Sequence, residues 1–343
     1  MRIDLAFVKP LCKSDAESAQ MSKEKGLAKQ TAEGPAALVL TATIARRYYF
    51  DGTSKSDIAD QLGLSRFKVA RLLDEARESG LVRIELDYRG EINLDLSVQL
   101  GQAYGLQHCL VVESPEDDVA LLRTSLGRAS ARLLTEIVGP DDVLGLAWAR
   151  ALAAMRAHLT RLAPCAVVQL TGALSRPDVD ESSIEIVRDV ARISSGPAYY
   201  FYAPMVVPDA ATARVMRTQP EVARAIARFG NVTKAVVGLD AWKAGLSTVA
   251  DFLSDAERRE MYEQGVRAEL CGIQLDAQGE VIATALSERL IGVDAEQLRA
   301  VPEVIAIAYG TEKAAAVRAG LRGGLVSSLV THSAMATELL AQP

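Results

Sequence analysis

The chain has 343 residues, 49% of them apolar and 5% aromatic, enough for about two domains and too apolar for wholesale disorder. With 38 Lys and Arg against 44 Asp and Glu the net charge is −6, so any nucleic-acid contact must come from a local basic patch rather than the whole surface. The four cysteines (Cys12, Cys109, Cys165, Cys271) form no CxxC, and the histidines are His108, His158 and His332, spacings that argue against a zinc site or a disulfide framework.

Met1–Lys13 lacks the basic start and long apolar region of a signal peptide, and no apolar run nears the ~20 residues that span a bilayer. A soluble protein of the reducing cytoplasm is expected, with no cofactor and no membrane partner. Residues 14–35 are rich in Ser, Ala, Lys, Glu and Gln and show no apolar face, so residues 1–35 read as a disordered tail.

From Leu38 to about Phe50, Leu38, Ala42, Ala45 and Tyr48 recur at helical spacing, and Asp51-Gly52 stops that helix. Ser54 caps a second helix with Ile58, Ala59 and Leu62 inside, which Gly63 breaks. Ser65 caps a third, whose inner stripe is Val69, Leu72, Leu73 and Ala76. Gly80 ends it, and Leu81–Leu86 alternates as a short strand. Helix, short helix, glycine turn, helix and strand is the winged helix-turn-helix order.

On the third helix the inner stripe turns Phe67, Lys68 and Arg71 outward, with Arg66 on the flank. Arg reads guanine bidentately in the major groove, while Lys or Ser holds phosphates. An outward Phe67 is accounted for by a thymine methyl or a sugar-phosphate edge. Ser54, Ser65, Arg66, Phe67, Lys68 and Arg71 are therefore the candidate DNA-binding residues; the alternative is a solvated basic edge.

Residues 91–105 place Leu96, Leu100 and Tyr104 on one helical face, either a dimer seam or the first core helix. Candidate strands follow at His108–Val112, Val143–Ala147, Ala166–Leu170, Ala198–Tyr202, Ala235–Leu239, Leu270–Leu275, Val304–Ala308 and Leu325–Leu329, separated mostly by amphipathic stretches. Such alternation predicts a Rossmann-like, doubly wound α/β sheet with ligands at the carboxyl ends of its strands. The loops after Ala147, Leu170 and Ala308 are the ones to inspect.

At the end of the Ala166–Leu170 strand, Gln169, Thr171, Gly172 and Ala173 suit hydrogen bonding to ligand hydroxyls, or make an ordinary strand-to-helix turn. After Ala308, Gly310-Thr311 opens a helix with Lys313 in its first turn. That is an anion site, unless Glu312 pairs with the lysine. Glu269 accepts sugar hydroxyls or pairs with Arg267 or Arg289. Tyr199-Tyr200-Phe201-Tyr202 reads as a buried strand, with a stacking platform as the alternative. The histidines have no partners at catalytic spacing.

These residues together resemble the SorC family of bacterial sugar-responsive transcription regulators, from about Ala36 to Leu340. The likeness rests on Ala45-Arg46-Arg47-Tyr48-Tyr49, Ile58 through Gly63, Ser65-Arg66 through Val82, Val168 through Ala173, Val236-Val237-Gly238, Val304 through Lys313, and Leu321-Arg322-Gly323-Gly324 to Thr331. It implies a winged helix-turn-helix over residues 36–90. It also implies an effector-binding and oligomerisation domain over 91–343 that is similar to sugar-phosphate isomerases but senses rather than catalyses. Homo-oligomers, dimers or tetramers, on paired double-stranded operator half-sites are further implied.

The family's Ser-x-Gly-x-Thr turn, which helps hold an effector phosphate, here reads Ala147-Trp148-Ala149-Arg150-Ala151, and its Asn-Gly-Gly reads Thr171-Gly172-Ala173. Trp148 and Arg150 thus join Gln169, Thr171, Gly172, Ala173, Glu269, Gly310 and Lys313 as candidate effector contacts. A sugar phosphate and an uncharged sugar or polyol both stay open. The expected function is a DNA-binding regulator, most simply a repressor, of carbohydrate or polyol catabolism. The alternative is a sugar-phosphate isomerase-like enzyme with a helical appendage, disfavoured because no nucleophile–base pair stands at a sheet end.

Overall fold

A computed structural model of the chain describes residues 2–5, 34–85, 91–114, 118–174 and 182–342, and its contacts divide the chain into two units, Met1–Arg89 and Gly90–Pro343. In the first unit β1 (Arg2–Leu5) precedes α1 (Pro35–Tyr49), α2 (Lys55–Leu62), α3 (Arg66–Glu78) and β2 (Val82–Glu85). Pro35 stands at the first helical turn, where its missing amide costs nothing, so α1 starts ahead of the expected Leu38.

Ser54 Oγ accepts from the Asp57 amide at 3.2 Å, and Gly63 closes α2 in the left-handed region at φ 63°. Ser65 Oγ accepts from the Lys68 amide at 3.2 Å and sets the start of α3. Val69, Leu72, Leu73 and Ala76 are buried against Ile44, Ala45, Ile58, Ala59 and Val82.

One segment departs from the reading of residues 1–35 as a tail. The backbone of β1 pairs antiparallel with β2, Arg2 opposite Glu85 and Leu5 opposite Val82. A four-residue segment is too short for its alternation to register in sequence; it acquires a partner only once β2 exists as an edge. The remainder of that tail, with Cys12, lies outside the described residues.

The second unit carries, in chain order, α4 (Leu94–Tyr104), β3 (His108–Val112), α5 (Val119–Ile137), β4 (Val143–Leu146), α6 (Arg150–His158), β5 (Ala166–Gln169), α7 (Ser183–Ser194), β6 (Ala198–Tyr199), β7 (Lys234–Gly238), β8 (Asp240–Ala241), β9 (Ala268–Leu270), β10 (Ile273–Leu275), β11 (Glu303–Ile307), α8 (Ala314–Arg322) and β12 (Ser328–His332), with short helices between. Seven strands form one parallel sheet in the order β3-β12-β11-β7-β4-β5-β6.

Successive residues alternate between two cores. Val111, Val168, Val237, Ala306 and Leu329 face one, whereas Val112, Val167, Val236, Ile305 and Val330 face the other. The first core is covered by α4, through Leu100, and by α8; the second is covered by α5, α6 and α7. This is the period-2 pattern of a sheet buried on both faces by helices.

Three strand expectations change. The run Leu270–Leu275 is a hairpin of β9 and β10, reversed at Cys271 and Gly272 (φ 54° and 83°), which joins β8 in a separate antiparallel sheet. The last strand begins at Ser328 rather than Leu325, because Leu325 and Val326 are buried in the connection entering it. Finally, β6 stops at Tyr199, and the Phe201 amide donates to the Gln169 side chain at 3.0 Å.

Candidate functional site

The order of the sheet places the site. From β4 the chain proceeds outward to β5 and β6, whereas from β7, the neighbour of β4, it proceeds the other way to β11 and β12. The carboxyl ends of β4 and β7 therefore diverge into a crevice, the standard ligand position in open α/β sheets. A cleft partly open to solvent lies there. Trp148 and Arg150 reach it from the segment after β4, Asp240 after β7, and Tyr309 and Lys313 after β11. Glu269, Cys271 and Gly272 enter from the β9–β10 hairpin.

Its chemistry is that of buried, mutually compensated charge. Lys313 Nζ lies 2.6 Å from Asp240 Oδ1 and 5.0 Å from the centre of the Tyr309 ring. Burial alone would depress the Lys313 ammonium, but the Asp240 carboxylate outweighs it and holds the lysine above its usual range. Glu269 stands directly across from Asp240 in the β8–β9 pair. It accepts from Ser247 Oγ at 2.8 Å and from the Gly272 amide at 3.0 Å. Burial first, then the Asp240 charge, pushes its carboxyl up to about 7. Burial and the nearby Glu269 also raise the Cys271 thiol, which keeps it neutral.

Of the effector candidates read from sequence, Trp148, Arg150, Glu269 and Lys313 line this cleft, and Gln169, Thr171, Gly172, Ala173 and Gly310 do not. Gln169 is fully buried and donates to the Thr171 carbonyl and Ser183 Oγ. Thr171 Oγ1 accepts from the Trp148 amide at 3.3 Å. The Gly172 amide donates to the Ile291 carbonyl, and a Cβ there would meet the backbone of Pro204 and Met205 at 2.6–2.7 Å. Ala173 exchanges backbone hydrogen bonds with Ala203 and Met205. Thr171 thus braces the segment that carries Trp148, whereas Gln169, Gly172 and Ala173 tie their own loop to the segments around Ser183, Ile291 and Ala203.

Gly310 (φ 87°) turns the chain between Tyr309 and Lys313 and donates its amide to His332 Nε2 at 3.1 Å. The expected partners also shift. Lys313 takes Asp240 rather than Glu312 as its ion-pair partner. Glu269 binds neither arginine, since Arg267 donates to the Tyr262 and Val266 carbonyls and Arg289 to Glu257 and the Val207 carbonyl.

Asp240, Ser247 and Cys271 were not singled out in sequence. Asp240, two residues past the end of β7, follows from the strand-end rule; Cys271 carries no such signal. Ala149, in place of the family's glycine, is accommodated by Gly238, whose missing Cβ would otherwise sit 2.7 Å from the Ala149 methyl. Ala147 and Ala151 are buried.

On α3, Arg66, Phe67, Lys68 and Arg71 are exposed, Phe67 to 90%. Arg71 Nε lies 3.3 Å from Glu75. The Ser54 and Ser65 side chains are occupied as helix caps.

Residues 88–341 match the sugar-binding domain family. The chain belongs to the SorC family of sugar-binding transcriptional regulators. It is 31% identical over 304 residues to the uncharacterized transcriptional regulator YjhU of Escherichia coli K12, covering 86% of this chain and 92% of that one. Identity to the deoxyribonucleoside regulator of Bacillus subtilis is 29% over 310 residues, 87% of this chain and 96% of the relative. The full-length sorbitol operon regulator SorC of Klebsiella pneumoniae shares the fold, with TM-score 0.68 at 24% identity over 89% of this chain and 99% of that one.

As a member of this family the chain is a transcriptional regulator, and the isomerase-like enzyme reading is set aside. Among the described residues no helix is long and apolar enough to cross a membrane, and no cluster of ligating side chains forms a metal site.

Proposed function

We propose that the first unit is a winged helix-turn-helix that binds double-stranded operator DNA in the cytoplasm, and that the cleft of the second unit binds a carbohydrate-type effector that releases it. The observation that carries the DNA reading is Phe67, 90% exposed between Arg66 and Lys68 on a capped helix whose opposite stripe is buried. A ring presented between two cations on the outer face of such a helix is placed to pack on a thymine methyl or a sugar-phosphate edge while its neighbours hold phosphates and bases.

For the effector, Asp240 and Glu269 offer acceptors to hydroxyl groups, Lys313 offers a donor, and the half-buried Trp148 ring offers an apolar face. The Lys313 charge is already taken by Asp240, so these side chains fit the hydroxyl-bearing part of a sugar or polyol. A phosphate, where the effector has one, falls to Arg150 in the first turn of α6, a helix whose start has no side-chain cap. Binding must favour one arrangement of paired reading helices over another, since a ligand shifts an equilibrium only by its differential affinity.

The test is fluorescence anisotropy on the upstream intergenic DNA against random DNA at stated salt, with and without sugars, polyols and their phosphates. Tight specific binding is expected, with Arg66→Ala or Arg71→Ala costing about 1–3 kcal/mol at one operator position and Lys68→Ala weakening all sequences alike. Release by phosphates alone assigns Arg150 to the anion; release by an uncharged polyol assigns the carboxylates. No preference over random DNA overturns the reading.

A further inference from the structure

One helix touches the effector cleft on one side and the start of the second unit on another. Near the beginning of α5, Arg123 Nε donates to the Tyr309 hydroxyl at 3.2 Å, and its guanidinium lies 5.7 Å from the centre of that ring. Tyr309 lines the cleft, with Lys313 Nζ 5.0 Å from the same ring centre. A ligand that engages Lys313 therefore meets the ring that Arg123 holds.

Five residues on, roughly 7.5 Å along the helix and about 140° around it, Arg128 grips Glu91 with a two-point fork. Nε donates to Oε2 and Nη2 reaches Oε1, both at 2.9 Å. Arg132, one turn further, stands 3.9 Å from Oε2. Glu91 is the second residue of the second unit, directly after the boundary at Arg89. Its carbonyl already accepts from the Glu113 amide at 2.8 Å, and Ile92 bridges Val112, so the backbone here is anchored without the fork. Both partners of the pair are partly exposed, and such pairs add little stability. What a bidentate fork adds is a fixed orientation.

Between these contacts α5 lies directly on α6. A Cβ on Gly127 would sit 2.6 Å from the Ala154 backbone, and α6 opens with Arg150 in the cleft. Thus α5 abuts two of the segments that line the cleft. Packed helices shift as units by about 1–2 Å, and hydrogen bonds of 2.9 Å are not kept across such a shift. The fork therefore has two states, gripped and released, set by the position of one helix. We propose that α5 is the lever by which the cleft acts on the chain entering from the first unit. Arg123 is its positioning residue at the cleft and the Arg128–Glu91 fork is its release point. The lever rests on the proposed operator and effector functions. Coupling between two sites is reciprocal, so DNA on the first unit must in turn disturb the Tyr309 turn through the same helix.

That reciprocity allows a test with DNA as the only ligand. Hydrogen exchange of the full-length chain is followed with and without its upstream intergenic duplex, and binding of each variant is checked by anisotropy. In the wild type, DNA should change exchange by about fivefold or more at residues 91–93 and again at 309–313. Arg128→Gln and Glu91→Gln should each keep the response at 91–93 and lose that at 309–313. The double variant should lose no more than either single one, as expected when both act through one contact. Arg123→Gln, at the other end, should also silence 309–313 alone. Thermal melts close to the wild type show that the folds are intact. A wild type that binds the duplex with no response at 309–313, or any single variant that binds it and retains that response, would overturn the lever and leave the operator reading standing. So would a double variant that loses the response where the single ones keep it. Absence of duplex binding by the wild type would instead overturn the operator reading, and the lever with it.

Discussion

Replacing Glu269 by Gln tests the electrostatics of the cleft through folding stability. In the folded chain burial and the Asp240 charge move this carboxyl from an ordinary 4.5 to about 7. Between those values the folded state holds a proton that the unfolded state has released, so stability falls as pH rises through that window and levels off above it. At about 1.4 kcal/mol per pH unit the whole effect is on the order of 3 kcal/mol, of which about 2 kcal/mol falls between pH 5.5 and 8. Glutamine retains an acceptor for Ser247 Oγ but sets an amide donor against the Gly272 N–H, a cost of about 1 kcal/mol at either pH. Urea melts of wild type and Glu269→Gln at the two pH values should therefore show the variant gaining about 2 kcal/mol on the wild type from pH 5.5 to 8. Parallel pH profiles would refute a proton held at this site.

Lys313→Met should destabilise the fold by about 2–4 kcal/mol, because it leaves Asp240 facing Glu269 without a counter-charge, and Asp240→Asn in the same chain should recover most of that loss in chemical denaturation. Gly127→Ala should cost about 1–3 kcal/mol in a thermal melt, since the added Cβ would sit 2.6 Å from the Ala154 backbone where α5 crosses α6. Phe67→Ala should leave the melt within about 0.5 kcal/mol of wild type, as its ring is 90% exposed, yet weaken operator binding in anisotropy. Ser65→Ala should lower both measurements, stability by about 1 kcal/mol, because it removes the cap that sets the start of α3.

What the sequence determined by itself was local. Ser54 and Ser65 as caps, Gly63 as a left-handed stop, the Val69-Leu72-Leu73-Ala76 stripe and the outward Phe67 all depend on neighbours within one helical turn, and helical periodicity encodes them directly. The parallel sheet was legible for a similar reason, because a strand buried on both faces reads as a short apolar run wherever it pairs. Long-range pairing was not legible. Only the tertiary structure brought Asp240 to Lys313 across 73 positions and set it opposite Glu269, because strand order, not spacing, decides which strand ends share a crevice. The same cause withdrew Gln169, Thr171, Gly172 and Ala173 from the cleft: polar groups beside a turn suit a ligand or the protein's own backbone equally well. Here the segments around Ile291 and Ala203 reached that backbone first. The tyrosine run divides along the same line, since periodicity marked it apolar, but the place of β6 at the end of the sheet decided that Phe201 is buried while Tyr202 faces outward.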